Sequence, residues 1–201
     1  RLAKYSADLY VKLEEETGIS TGVKQNGSLT VALTDNRQEE ILRQASMAKA
    51  FDVEANEVSL SELKSLHPFL NTEGVKGAVH LPLDGQGDPA NIAMALAKGA
   101  RDLGVKIIED TKVSGLDTHN NRVSGVHWIN ENGMGNIRTE NVANCAGMWA
   151  RELAESHGIT VPLHACEHFY IVTEPVKDLS TLPVLRMPDE QTYFKEDAGK
   201  F

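Results

Sequence analysis

The sequence predicts a mixed fold, α+β or α/β, with two interleaved subdomains, and three observations carry that prediction. Apolar residues recur at helical spacing in several capped segments, short β-rich runs lie between them, and Thr111 to Asn144 is β-rich with turn signals and no helical period. Strand-then-helix units imply a sheet covered by helices, whereas the long β-rich stretch implies an antiparallel meander. Neither an internal repeat nor a linker separates the two patterns in the 201 residues.

Leu2, Tyr5, Leu9 and Leu13 lie on one helical face and Thr17-Gly18 supplies the stop, which predicts a helix over 2–16 with an acidic end at Glu14 to Glu16. Ser28 to Leu33 reads as a strand. Asp35 with Gln38, and Ser59 with Glu62, have the spacing of capping boxes, so they open a helix to about Ala50 and a shorter one ended by Pro68. Gly77 to Leu81 is the next strand. Asp88-Pro89 places an N-cap carboxylate before a proline, and Ile92, Leu96, Ala100 and Leu103 continue that helix to Gly104. Val105 to Ile108 follows as a short buried strand. Asn120-Asn121 and Asn132-Gly133 mark the meander turns. A further helix begins near Met148 and stops at His157-Gly158, and strands are expected over about 167–173 and 190–195.

Composition narrows the function. A hydrophobic fraction of 41% with 24% charged residues belongs to a globular chain. No apolar run approaches the 18 or so residues that span a bilayer. Twenty Lys plus Arg against 29 Asp plus Glu leave a net charge of −9, which repels phosphate backbones and argues against nucleic acid as a partner. Two cysteines, Cys145 and Cys166, make no disulfide framework and suit a reducing compartment. The chain opens at Arg1 within a helical pattern, as an internal piece of something longer would.

Three stretches could carry chemistry. Gly85-Gln86-Gly87-Asp88-Pro89-Ala90 matches G-x-G-x-x-A between a strand and a helix, but the Asp88 carboxylate and a proline without an N–H oppose a bound phosphate, so the stretch reads as a tight turn and a capped helix. On a strand, His164, Cys166, His168 and Tyr170 would share one face. Imidazole and thiolate ligate zinc, yet same-face neighbours about 6–7 Å apart are widely spaced for one tetrahedral ion, and the alternative is a polar row facing a pocket. Asn144-Cys145-Ala146-Gly147-Met148-Trp149-Ala150 runs through small residues into a helix; it is either a site where a ligand meets backbone or a plain strand-to-helix turn, and Trp149 could equally be core.

Read together, these segments resemble the flavin-dependent amine oxidoreductases of the D-amino-acid oxidase superfamily, in particular the dimethylglycine and sarcosine dehydrogenase branch. Tyr5-Ser6 through Gly18 is similar to the helix after its flavin-anchoring segment, and Gly27-Ser28-Leu29 to its next strand. Asp84-Gly85-Gln86-Gly87-Asp88-Pro89 is similar to its D-G-x-x-D-P turn, Asn144 to Ala150 to its N-x-A-G-x-W-A segment, and His168 to Pro175 to its H-Q-Y-x-x-T-x-P strand. Leu182 to Arg186 and Tyr193-Phe194 complete a series that keeps the family's order over nearly the whole chain.

The resemblance implies a partial FAD-binding Rossmann-like domain, about 1–26 and 89–158, interleaved with an antiparallel-sheet substrate domain, about 27–88 and 159–201. It implies FAD as cofactor, held in part by Val113, Cys145, Ala146, Gly147 and Trp149, with the phosphate loop before Arg1 and a folate-binding domain after Phe201. A fragment without that loop is expected to bind FAD weakly and to be inactive. The implied substrate is an N-methyl amino acid such as sarcosine or dimethylglycine, oxidised by hydride transfer and hydrolysis of the iminium, with the electron acceptor open. His168 and Tyr193 are implied as the catalytic pair that handles the amine proton, with Tyr170 and Arg186 binding substrate, Arg186 through a carboxylate. The implied compartment is bacterial cytoplasm or mitochondrial matrix. Two other readings stay open: a non-catalytic regulatory or scaffolding relative, and a metal-binding module.

Overall fold

The computed structural model describes residues 2–177, 179 and 181–201. In chain order its elements are α1 (Leu2–Thr17), β1 (Ser28–Ala32), α2 (Asp35–Lys49), β2 (Asn56–Val58), α3 (Leu60–Leu66), β3 (Gly77–Leu81), α4 (Pro89–Asp102), β4 (Lys112–His119), β5 (Arg122–Asn130), β6 (Gly133–Arg138), α5 (Ala150–Glu155), β7 (Val184–Met187) and β8 (Thr192–Phe194). They fall into two units, Arg1–Val105 with Ile171–Phe201, and Lys106–Tyr170. The mixed fold predicted from the sequence is present.

The first unit is built on a five-stranded sheet of order β2-β3-β1-β7-β8, in which β1 is antiparallel to β3 and parallel to β7. β1 is central and reads Ser-Leu-Thr-Val-Ala, so period-two alternation sends Leu29 and Val31 to one face and Ser28, Thr30 and Ala32 to the other. The first face buries Leu29, Val31, Ala78 and Leu185 against Leu63 of α3 and against Leu70 and Val75. On the second face α2 lays Ile41 and Ala45 over Ala32 and Val79. Because α2 packs on β1, β2 and β3, the same face of β7 and β8 stays open, and Tyr193 there is 62% exposed.

Capping follows the sequence closely with one shift. Ser59 and Glu62 form the expected capping box, and Asp88 caps α4 by accepting from the Ala90 and Asn91 amides. At α2 the cap is Thr34, not Asp35: its extended backbone continues the exit from β1 and its hydroxyl accepts from the Arg37 amide. Asp35 then falls in the first turn, where the helix dipole favours a carboxylate. The α4 stripe also differs. Ala95 is its buried residue and Gly99 closes on Thr17 of α1, while Leu96 and Leu103 face outward, because small residues let two helices approach.

The second unit contains the predicted meander, a sheet of order β4-β5-β6. Asn120 and Asn121 turn its first hairpin with left-handed φ of 51° and 60°, the conformation asparagine tolerates in a two-residue loop. A register shift between Val113 and Gly115 bulges β4. Across β5 and β6, Trp128 covers its partner Gly135 so closely that an added Cβ would lie 2.6 Å from the indole. The expected helix begins as a 3-10 turn at Gly147–Trp149 and continues as α5.

Three expected strands are not strands. Val105 to Ile108, the lead into Asn144-Cys145, and about 167–173 are all irregular, with Ile108, Phe169, Tyr170 and Ile171 56–89% exposed. A β-rich run becomes a strand only where a neighbour supplies a ladder, and among the described residues no strand pairs with these segments; at the end of the last, Thr173 donates its amide to the Phe201 carbonyl at 2.9 Å without a ladder following. The predicted strand at 190–195 is present in shorter form as β8, which makes a hairpin with β7 after left-handed Gln191.

Candidate functional site

The open half of the first unit's sheet forms a cleft of about 490 Å³. Register explains what lines it. Arg186 of β7 lies opposite Tyr193 of β8, Val184 follows on the same face of β7, and Lys195, just past the end of β8, lines the same cleft. The alternate residues, Leu185 and Phe194, point the other way, and Leu185 enters the core. Gly85 and Gln86 wall one side and Gln191 another. Sequence reasoning thus placed Arg186 and Tyr193 in one cleft but missed Lys195, Gln86 and Gln191. The i, i+2 spacing of Tyr193 and Lys195 was the signal for Lys195.

The wall at Gln86 is rigidly held. Lys24 and Gln86 exchange backbone hydrogen bonds of 2.8 and 3.0 Å, which brings the Lys24 carbonyl to 1.9 Å from where a Cβ on Gly85 would sit. That close approach, not a phosphate, is what the Gly85-x-Gly87 spacing serves. Beneath it Glu196 is buried; its carboxylate accepts from Lys24 Nζ at 2.8 Å, from the Gly199 amide at 2.9 Å and from Gln86 Nε2 at 3.2 Å. The Lys24 hydrogen bond first, and then the Gly199 N–H, hold the Glu196 carboxyl below the usual carboxylate range. Glu196 is therefore satisfied from inside the protein. Arg186 and Lys195 have no such partner: among the described residues neither makes an ion pair.

The other nominated residues belong to the second unit. Val113 is exposed on β4 beside the bulge. Cys145 and Gly147 are open, and Gly147 is left-handed at φ 55° with nothing within 4 Å of a hypothetical Cβ. Asn144 shapes this turn, accepting from the Ala146 amide and donating to the Ala150 carbonyl. Trp149 is 63% exposed on the 3-10 turn. Open backbone, small side chains and no acidic residue between Asn144 and Trp149 suit the close approach of a dinucleotide such as FAD. His168 and Tyr170 are exposed in the irregular stretch, so the shared strand face expected of them is absent. Among the described residues no cluster of three His, Cys, Asp or Glu is arranged to hold a metal, and His164, Cys166 and His168 form none.

The first unit thus carries a cleft with two cationic side chains and no acidic lining, and the second an open glycine backbone at Gly147. The family model described as FAD dependent oxidoreductase matches residues 1–201, and the chain belongs to that family. Human mitochondrial sarcosine dehydrogenase is 38% identical over 189 residues, 92% of this chain and 20% of that protein. The mitochondrial pyruvate dehydrogenase phosphatase regulatory subunit of Mus musculus is 38% identical over 177 residues, 87% of this chain and 20% of that protein. The crystal structure of L-proline dehydrogenase from P. horikoshii superposes with a TM-score of 0.79 at 27% identity, over 98% of this chain and 52% of that one. The chain spans about a fifth of the length of these curated relatives.

Proposed function

We propose that the protein to which this chain belongs oxidises an N-methyl amino acid such as sarcosine or dimethylglycine, with FAD accepting the hydride. The observation that carries the reading is the Arg186–Tyr193 pair across β7 and β8: an unpaired guanidinium for a carboxylate beside a phenol able to bond the amine. The names of two relatives support it, since sarcosine and L-proline are both secondary amines carrying a carboxylate. FAD, when bound, takes up the hydride; everything else falls to the chain. Arg186 orients the substrate and Tyr193 favours the neutral amine; the amine-handling role of His168 and the substrate contact of Tyr170 are carried by the family resemblance. Val113, Cys145, Ala146, Gly147 and Trp149 offer backbone and an aromatic side to the cofactor.

The division into an FAD-binding part, about 1–26 and 89–158, and a substrate part, about 27–88 and 159–201, belongs to this proposal. A folate-binding domain and a mitochondrial-matrix or bacterial-cytoplasmic setting belong to the same proposal. To test it, the full-length protein is purified and assayed with sarcosine and an artificial acceptor. Bound flavin that bleaches on adding sarcosine, with KM raised at least tenfold in Arg186→Met, supports the reading, and a protein without flavin or turnover overturns it.

A second reading has its own support: a relative equally identical to sarcosine dehydrogenase is named a regulatory subunit. In that case Tyr193→Phe and His168→Asn leave the protein's measurable properties untouched.

A further inference from the structure

The cleft carries more positive charge than one carboxylate requires. Val184, Arg186 and Tyr193 share one face of the β7–β8 hairpin, and Lys195, the residue after β8 ends at Phe194, lines the same cleft. Positions two residues out of register across such a hairpin lie about 7–8 Å apart at the backbone, within reach of two long side chains that converge on one ligand. None of the cleft-lining residues is acidic. The nearby carboxylate, Glu196, is already satisfied by Lys24, Gln86 and Gly199, so it does not neutralise the cleft. Two uncompensated cations on one concave wall, in a chain whose net charge is −9, are a local reversal of the molecule's field.

We propose that this cleft selects a secondary amine bearing two carboxylates, with Arg186 and Lys195 each holding one. The proposal rests on the amine-oxidising reading for the chemistry but not for the binding. Lys195 is then a specificity-determining residue.

Two measurements on the full-length protein separate the claims. In the first, succinate and acetate are titrated calorimetrically as amine-free probes. Succinate is expected to bind at least tenfold more tightly, the preference to vanish in Lys195→Met, and Lys195→Arg to restore it. In the second, kcat/KM for N-methylaspartate relative to sarcosine is expected to fall at least tenfold in Lys195→Met. If succinate binds no better than acetate, or if the kcat/KM ratio is unmoved by Lys195→Met, the two-carboxylate site is overturned. If no amine is turned over while the succinate preference persists, the oxidase reading fails and the dianion site stands.

Discussion

The two units of the chain use the same strand-forming pattern and bury very different amounts with it. In the first, β1 has apolar cover on both faces, and Leu29 and Val31 are fully buried. In the second, the buried apolar side chains among the described residues are Ala150 and Ala154, while Val113, Ile129, Met134 and Ile137 of the meander stay exposed. A ladder of hydrogen bonds forms in either setting, but burial of apolar area is what makes a sheet costly to open. The meander is thus held by pairing and turns, and the first unit by layers. This contrast has a functional side: the cleft lies on the well-layered unit, while the residues nominated for the cofactor lie on the lightly buried one.

The largest expected effects test that contrast directly. In native-state hydrogen exchange the amides of β1 and β3 should be protected at least a hundredfold more than those of β4 to β6. Equal protection would show that the meander is stabilised by something other than its own packing. Leu29→Ala, which opens a void between β1 and α3, should cost about 2–5 kcal/mol in urea unfolding. Val126→Ala, at a half-buried meander position, should cost well under half of that. A cost at Val126 matching that at Leu29 would erase the distinction.

Next comes the anchor beneath the cleft. Glu196→Gln keeps the shape but replaces a carboxylate that accepts from Lys24, Gly199 and Gln86, so a loss of about 1–3 kcal/mol is expected. The pH dependence follows from the direction of its shift. The folded carboxyl titrates below its ordinary value of 4.5, so its contribution is complete above that pH and is lost as pH falls through the folded value. Urea midpoints measured from pH 6 down to 3 should therefore converge for wild type and Glu196→Gln. Parallel curves would remove Glu196 from the account.

Much of this architecture is legible in the residues themselves. Ser59/Glu62, Asp88-Pro89 and the Asn120-Asn121 turn are local devices whose physics needs no distant partner, and each appears where the spacing puts it, while the second meander turn falls one residue early, at 131–132, with Gly133 opening β6. The three strands that failed are the opposite case: Val105 to Ile108, the approach to Cys145, and 167–173 have β-rich composition, but strand formation needs a pairing edge that composition does not encode. The same limit applies to the site. Arg186 and Tyr193 could be named from their motif, whereas Lys195 depends on the β7–β8 register, which emerges only once the hairpin closes on Gln191.

A histidine in the first unit refines the picture of its layered interior. His67 is 3% exposed, both its ring nitrogens lack a hydrogen-bond partner among the described residues, and it stacks on Phe201 with ring centroids 6.1 Å apart. Burial lowers its pKa from the usual 6.5, with the charge of Lys64 acting in the same direction. A folded state that resists protonation loses stability as pH drops below 6.5, because the unfolded chain takes up the proton first. Phe in its place removes two unsatisfied polar atoms, so His67→Phe should be neutral or stabilising by about 1 kcal/mol and should flatten the stability curve between pH 7 and 5. A steeper curve in the variant would mean that the imidazole is stabilised in its charged form.

The smallest expected effect lies in the second unit and asks what one hydrogen bond does where burial is slight. His157, just beyond α5, accepts the Leu116 amide at 3.0 Å through Nε2, at the strand that the Val113/Gly115 bulge has shifted out of regular register. A ring nitrogen that accepts must be unprotonated, so the neutral proton sits on Nδ1. This contact ties the end of α5 to β4 without any large apolar side chain. His157→Leu should cost about 1 kcal/mol and raise the exchange rate of the Leu116 amide severalfold, with Trp128 and Gly135 hardly changed. His157→Gln, whose carbonyl can accept the same N–H, should recover part of the protection. If Leu116 exchanges at one rate in all three proteins, the meander is held by its ladder alone, and the bulge beside Val113 owes nothing to α5.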